Sequence, residues 1–402
     1  MVSATTEMAP FAEDFTVVVE ALRDFTQATG RVPVLLGGWE VEDAAIAPPP
    51  SLARKLATVP HQPIHYTYSR DFHAAREQAA ALFSRTMRVD GEAITPAQLA
   101  IVPNSSQGLL LALTALREAG MTRAVIASPT YYGAVAVCRH LGLTCTFIPT
   151  LDYLTGALDV SRIAVAMRDP AAVLLLTNPA YSLGVEYTPE QLQTLFAALP
   201  ANASVLLDET RLGLHWQSDQ PWYPMDFPAN TIILRSPSKI FLLNGAKTSI
   251  LIAPPHLVRQ MERLSEALLG SVAGNAQAVT VAYLEAWERW WGELDGHRVG
   301  PMRRWKRGVV TAFQQNLTQI RAMLAPYDCA ISPVDSGPYA LVGLTNRLQP
   351  RLHSYRIAHE QGVLLMTSDY FYHHHPAWQG FRMNLSCCPI QARKGITRVF
   401  GG

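Results

Sequence analysis

Excess charge of either sign is missing from this chain. Lys plus Arg is 33 and Asp plus Glu is 32, a net charge of +1. A near-neutral chain lacks the basic footprint of a general nucleic-acid binder, and no nucleic-acid partner is expected. Long apolar runs are missing as well. The best, such as Ala172–Thr177 and Thr248–Ala253, are strand-length, far short of the ~20 residues of a membrane span, and no membrane partner is expected. Residues Met1 to Pro10 show neither a basic n-region nor an apolar h-region, so no secretory signal is read there. Cysteine is sparse. The five, at 138, 145, 329, 387 and 388, are an odd number without a spaced framework, which suits a reduced, cytoplasmic protein. Cys387-Cys388 reads as buried thiols. No repeat and no low-complexity segment is visible.

What is present is core. Hydrophobic residues make up 49% of 402 residues and charged residues 16%, the balance of a globular chain with a large interior. An amphipathic helix is expected at about Phe11–Thr29, then a short apolar segment, Val32–Leu36, ending at Gly37-Gly38, and a break at Pro48-Pro49-Pro50. Beyond it, helical patterns at Ala74–Thr86, Gln107–Ala119, Ala134–Leu141, Pro189–Ala198 and Pro255–Leu268 alternate with strand patterns at Arg123–Ser128, Cys145–Pro149, Ala172–Thr177, Ser204–Asp208, Thr231–Ser236 and Thr248–Ala253. Several strands are apolar at consecutive positions, as when both faces are covered. This is α/β alternation around a mostly parallel sheet. After about residue 290 the pattern changes to a long helix, Met302–Leu324, and shorter elements of a smaller α+β lobe. The expected division is 1–47 as an N-terminal arm joining the small domain, 48–290 as the large domain, and 291–402 as the small C-terminal domain.

In open α/β sheets, ligands sit at the carboxyl ends of the strands. The residues just past those ends are Asn104-Ser105-Ser106-Gln107, Pro129-Thr130-Tyr131, Asn178-Pro179, Asp208-Glu209-Thr210-Arg211 and Ser236-Pro237-Ser238-Lys239. A desolvated lysine loses its proton and forms a Schiff base; a strand-end surface lysine is the plainer reading of Lys239. A buried Asp208 holds a pyridinium N–H, or caps a structural element. Ser105 and Ser106 at a helix start hold a phosphate, or serve as an ordinary cap. Tyr131 stacks on a flat ring, or fills core.

The order of these residues resembles the fold-type I pyridoxal-phosphate enzymes, and among them the class I/II aminotransferase family. Leu35-Leu36-Gly37-Gly38 with Pro48-Pro49 is similar to L-G-x-G…P-P. Tyr66 with Arg76 is similar to Y…LR, Asn178-Pro179 with Gly184 to half of N-P-x-N-P-T-G, and Asp208-Glu209 to D-E-x-Y. Ser236–Lys239 with Lys247 is similar to S-x-S-K…R, and Arg382-Met383-Asn384-Leu385 to R-[LI]-[SN]. The resemblance implies a seven-stranded, mostly parallel sheet sandwiched by helices, with a smaller α+β C-terminal domain. It implies pyridoxal 5′-phosphate as cofactor, an L-amino acid as substrate, and a homodimer with shared active sites. Lys239 is then the Schiff-base lysine and proton shuttle, Asp208 the partner of the ring nitrogen, and Tyr131 the stacking ring. Ser105, Ser106, Gln107, Ser236, Ser238 and Lys247 lie toward the phosphate, and Tyr66 toward the phosphate of the neighbouring subunit. Arg382 takes the substrate carboxylate, with Gly38 and Asn178 beside it.

Departures from the family bear on the reaction. Tyr181 stands where the family has its second Asn, Arg211 where it has the Tyr of D-E-x-Y, and Lys247 where it has Arg. One expectation is a role swap at the cofactor's phenolic oxygen, with Tyr181 supplying a phenol and Arg211 a fixed cation. Transamination is the leading reaction. An elimination, decarboxylation or cyclisation is the alternative, and a non-catalytic cofactor-binding module is a further one. His373-His374-His375 is read as a solvated loop, with a substrate-contacting histidine as the alternative because the resemblance puts this stretch beside the substrate side chain, rather than as a metal tract, since neighbours on an extended chain point opposite ways. Trp39 and Trp378 hint at a bulky side-chain pocket.

Overall fold

Seven strands form the central sheet of the computed structural model, which describes residues 15–59, 66–150, 152, 159–296, 298–344, 352–371 and 379–401. In chain order they are β1 (Leu99–Val102), β2 (Arg123–Ser128), β3 (Thr144–Pro149), β4 (Ala172–Thr177), β5 (Ser204–Asp208), β6 (Thr231–Arg235) and β7 (Ser249–Ile252). Their spatial order is β1-β7-β6-β5-β4-β2-β3. All pairings are parallel except those of β7, which runs against both β6 and β1.

The sheet is covered on both faces, and the side-chain period of two assigns the residues. Ile101, Val125, Leu174, Leu207, Ile233 and Ile250 share one apolar cluster. Their chain neighbours Ala100, Ile126, Leu175, Leu206, Leu234 and Leu251 share another on the opposite face. This explains why those strands read as unbroken apolar runs. Helices Ser105–Glu118, Tyr132–His140 and Pro255–Leu269 contribute to the second cluster, and His73–Phe83 and Ala276–Gly292 to the first. The helix Ala276–Gly292, absent from the sequence reading, buries Trp287 and Trp290 against Phe241 and Trp222.

A second sheet lies in the C-terminal part: β8 (Cys329–Ile331), β9 (Tyr339–Leu344), β10 (Met366–Thr367) and β11 (Gln379–Asn384), in the antiparallel order β8-β9-β11-β10. The long helix Pro301–Leu324 covers it. The apolar segment after the first helix belongs here. Val34 and Leu36 enter this cluster, Val34 bridges Val363, and Asn384 N–H donates to the Leu36 carbonyl at 2.8 Å. The loop after β4 joins this sheet at Gly184, where φ is +66° and a β-carbon would lie 2.5 Å from the Tyr339 carbonyl oxygen, so only glycine fits without strain.

Among the described residues no helix is long and apolar enough to cross a membrane. Residues 1–14, the triple histidine at 373–375 and Trp378 lie outside the described residues.

Candidate active site

A cavity of about 880 Å³ opens at the carboxyl ends of the parallel strands. Its floor is Lys239, in the one-turn helix Pro237–Ile240 that follows β6. The lysine Nζ donates to Ser105 Oγ at 2.9 Å and to Thr210 Oγ1 at 3.3 Å. Both acceptors are neutral, so the ammonium gains no ion pair from them. Burial, reinforced by the Arg211 charge and opposed by Asp208, pulls its pKa from the usual 10.5 to about 8. Asp208 ends β5 and is buried; its Oδ1 accepts from the Thr210 N–H at 3.0 Å.

A polar pocket adjoins the lysine. Helix Ser105–Glu118 starts there, capped by Asn104, whose side-chain oxygen accepts from Gln107 N–H at 3.0 Å. Ser105, Ser106, Ser236, Ser238 and Lys247 all line it. The antiparallel strand β7 makes the last of these possible: Lys247 precedes its start, which lies at the carboxyl ends of its neighbours. Ser236 and Ser238 hydroxyls are 3.1 Å apart, and Ser236 Oγ also donates to the Thr248 carbonyl.

Tyr131 forms a side wall, its ring 4.9 Å from Tyr132 and 5.4 Å from Tyr181, its hydroxyl 3.5 Å from Ser106 Oγ. Gly133 leaves room for this ring, because a β-carbon there would lie 2.6 Å from Tyr131 Cε1. Gly133→Ala therefore turns the ring, at the ~1–3 kcal/mol cost of overpacking. Titration with pyridoxal phosphate is expected to show an affinity about tenfold lower.

Arg382, on β11, is 0% exposed and stands behind the wall. Its Nε (3.1 Å) and Nη2 donate to the Gly37 carbonyl, and Nη1 donates to the Tyr181 hydroxyl at 3.4 Å. The rings of Trp39 and Tyr339 lie 4.9 and 4.6 Å from its guanidinium carbon. Arg211 does line the cavity. It stacks on Tyr339 at 4.6 Å and has no carboxylate partner among the described residues.

The residues expected from sequence thus divide. Lys239, Asp208, Tyr131, Ser105, Ser106, Ser236, Ser238, Lys247, Tyr181 and Arg211 meet at one cavity. Asn178 does not reach it, because both ends of its amide are spent on Tyr187 backbone. Gln107 and Gly38 also stand off the wall. Tyr66 is 82% exposed on the outer surface, away from the cavity of its own chain. The sequence reading placed Thr210 at a strand end but gave it no role, missed Glu40, Val41, Tyr132, Leu242 and Asn244 as wall residues, and took Trp39 only as an aromatic hint.

Residues 40–392 match the family model described as aminotransferase class I and II. The chain belongs to this family. It is 26% identical over 166 residues to a histidinol-phosphate aminotransferase of Citrobacter koseri, across 41% of this chain and 45% of that one. It is 23% identical over 229 residues to an aspartate aminotransferase of Pyrococcus horikoshii, across 56% and 57%. In these alignments the chain spans about half the length of the curated relatives it matches. In fold it is similar to a double mutant of the Thermus thermophilus aspartate aminotransferase, with a TM-score of 0.77 at 19% identity over 98% of this chain and 97% of that one.

The cofactor of class I/II aminotransferases is pyridoxal phosphate, and the residues present fit it. A desolvated amine stands for its aldehyde. A helix start with hydroxyls and a lysine stands for its phosphate, a buried carboxylate for its ring nitrogen, and an aromatic face for its ring.

Proposed function

We propose that the protein transfers the amino group of an L-amino acid to a keto acid through Lys239, as a cytoplasmic homodimer. The observation that carries this is the Lys239 amine, desolvated and facing two neutral hydroxyls in a cavity that also holds Asp208. Bound pyridoxal phosphate supplies a ring that delocalises the electron pair left at the substrate's α-carbon. Lys239 holds the cofactor and, once displaced, moves a proton between the two carbons concerned. Asp208 keeps the ring nitrogen protonated, and Thr210 N–H holds that carboxylate in place. Ser105, Ser106, Ser236, Ser238 and Lys247 bind the phosphate. Arg382 anchors the substrate carboxylate, exchanging the Tyr181 hydroxyl at Nη1 for a carboxylate oxygen. The exposed Tyr66 supports a second subunit's contribution to the site.

The test is an absorbance titration of the protein loaded with pyridoxal phosphate. The cofactor band is expected to bleach on adding one L-amino acid of a panel and to return on adding a keto acid. A band that returns unaided, with release of ammonia or carbon dioxide, overturns transamination.

Cofactor capture by the cofactor-free protein needs a neutral Lys239. Its rate is expected to rise with pH around a midpoint near 8, not near 10.5. Arg211→Gln removes a cation that disfavours the ammonium, so the midpoint moves upward. A midpoint that stays put shows that Arg211 does not act on the amine.

A further inference from the structure

Segment 37–40 runs from buried backbone behind the cavity wall to open solvent. Gly37 is buried and its carbonyl takes two donors of Arg382. Trp39 is half-buried, against Arg382 on one side and with the edge of Phe15 at 4.9 Å on another. Glu40 is exposed and lines the cavity. The segment is pinned along its length. Asn244 Nδ2 donates to the Trp39 carbonyl at 3.4 Å and Asn384 Nδ2 to the Glu40 carbonyl at 2.8 Å. Three residue steps extend about 10 Å at most, the reach of an amino acid with a long side chain.

The described wall carries three cations: Lys239, Arg211, whose charge bears directly on the lysine, and Lys247, which the proposed phosphate claims; Arg382 stands behind the wall. Glu40 is the exposed carboxylate beside them. Its Oε2 accepts from Trp39 N–H at 2.9 Å, while Oε1 has no partner among the described residues and no cation pairs with the group. Asp208 is the one other carboxylate of the described wall, and the cofactor ring claims it. A substrate complementary to this arrangement carries its carboxylate toward Arg382 and a positive charge toward Glu40.

We propose that Glu40 and Trp39 read the far end of the substrate's side chain, and that the substrate is an L-amino acid with a long cationic side chain, of the ornithine, lysine or arginine kind. The proposal rests on the reading of Lys239 and Arg382 given above. Trp39 and Tyr132 flank the methylenes, and Glu40 meets the charge where it emerges.

The test titrates the loaded protein with L-ornithine, L-norvaline, which lacks only the terminal amine, and L-glutamate, following the cofactor band. Ornithine is expected to half-saturate the change at a concentration about fivefold below norvaline, the size of a partly exposed ion pair, with glutamate weakest. Glu40→Gln keeps an oxygen for Trp39 N–H and brings the ornithine-to-norvaline ratio to about one; Glu40→Lys turns the preference toward glutamate. Norvaline or glutamate acting at equal or lower concentration in the unaltered protein overturns the proposal. So does a ratio that Glu40→Gln leaves unchanged, or a band that none of the three perturbs. Failure of the transaminase reading looks different: ornithine perturbs the band, yet no keto acid forms.

Discussion

Lys239→Ala is expected to lower turnover by about 10⁴-fold, the upper range for a positioned proton-transfer group, with loss of the covalent link adding to it. The lysine has no substitute nearby. The next cation of the wall, Lys247, precedes β7 among the serines of the polar pocket, and Arg211 cannot deprotonate. Lys239→Arg separates charge from nucleophilicity, because it restores a cation and no amine; it is expected to be as inactive as the alanine variant. Borohydride reduction followed by peptide mass measurement provides a second readout. The unaltered protein retains the cofactor's mass on the peptide containing residue 239, and both variants retain none. Turnover within tenfold of normal in either variant would remove Lys239 from the chemistry.

The largest effect on stability is expected one residue beyond Asp208. Glu209 and Arg235 form an ion pair at 2.5 Å, with side chains 3% and 4% exposed. The guanidinium is also stacked on Trp222 at 4.6 Å and on Phe83 at 5.6 Å. Burial alone pushes the Glu209 carboxyl up, and Arg235 opposes that push. Arg235→Met leaves the carboxylate buried and uncompensated, at a cost of about 3–5 kcal/mol, measured as a fall in urea midpoint at unchanged slope. The deficit has a definite pH dependence. In the variant the folded state holds a proton on Glu209 that the unfolded chain, with its ordinary value of 4.5, releases. Stability is therefore best below that value and falls as the pH rises above it. The double variant Arg235→Met, Glu209→Leu is expected to recover most of the loss. A single variant as stable as the parent would mean that the pair does not anchor the β5–β6 junction.

Much of the large sheet was legible because its strands are apolar at consecutive positions. Ala172–Thr177 and Ser204–Asp208 have the same bounds in the sequence reading and in the structure. Leu99–Val102 was missed, since four apolar residues between polar turns do not separate a strand from a helix. The helix Ala276–Gly292 was missed for a related reason: apolar residues surround it, so no stripe marks a face. At the site, chain order along the strand ends was enough to bring Lys239, Asp208, Tyr131 and the serines together. Thr210 was within reach of the same logic, two residues past Asp208 and beside it in space. Glu40 was not, because its place on the wall depends on Asn244 and Asn384, hundreds of residues away. Nor could a local reading show that Gly37 and Tyr181 already occupy donors of Arg382.

The residues proposed to hold the cofactor fall between Asn104 and Lys247, and the seven-stranded sheet is complete at Ile252. The proposed carboxylate anchor, Arg382, comes far later, and it closes onto Gly37 across 345 residues of chain. During synthesis from the N-terminus, then, the residues proposed to hold the cofactor are translated before the proposed substrate anchor, while the segment between Lys239 and Lys247 still waits for the helix Ala276–Gly292, whose Tyr283 hydroxyl holds the Ala246 carbonyl. On the proposed roles, an incomplete chain has no anchor to orient an amino acid, and the site is whole only once β11 brings Arg382 onto Gly37.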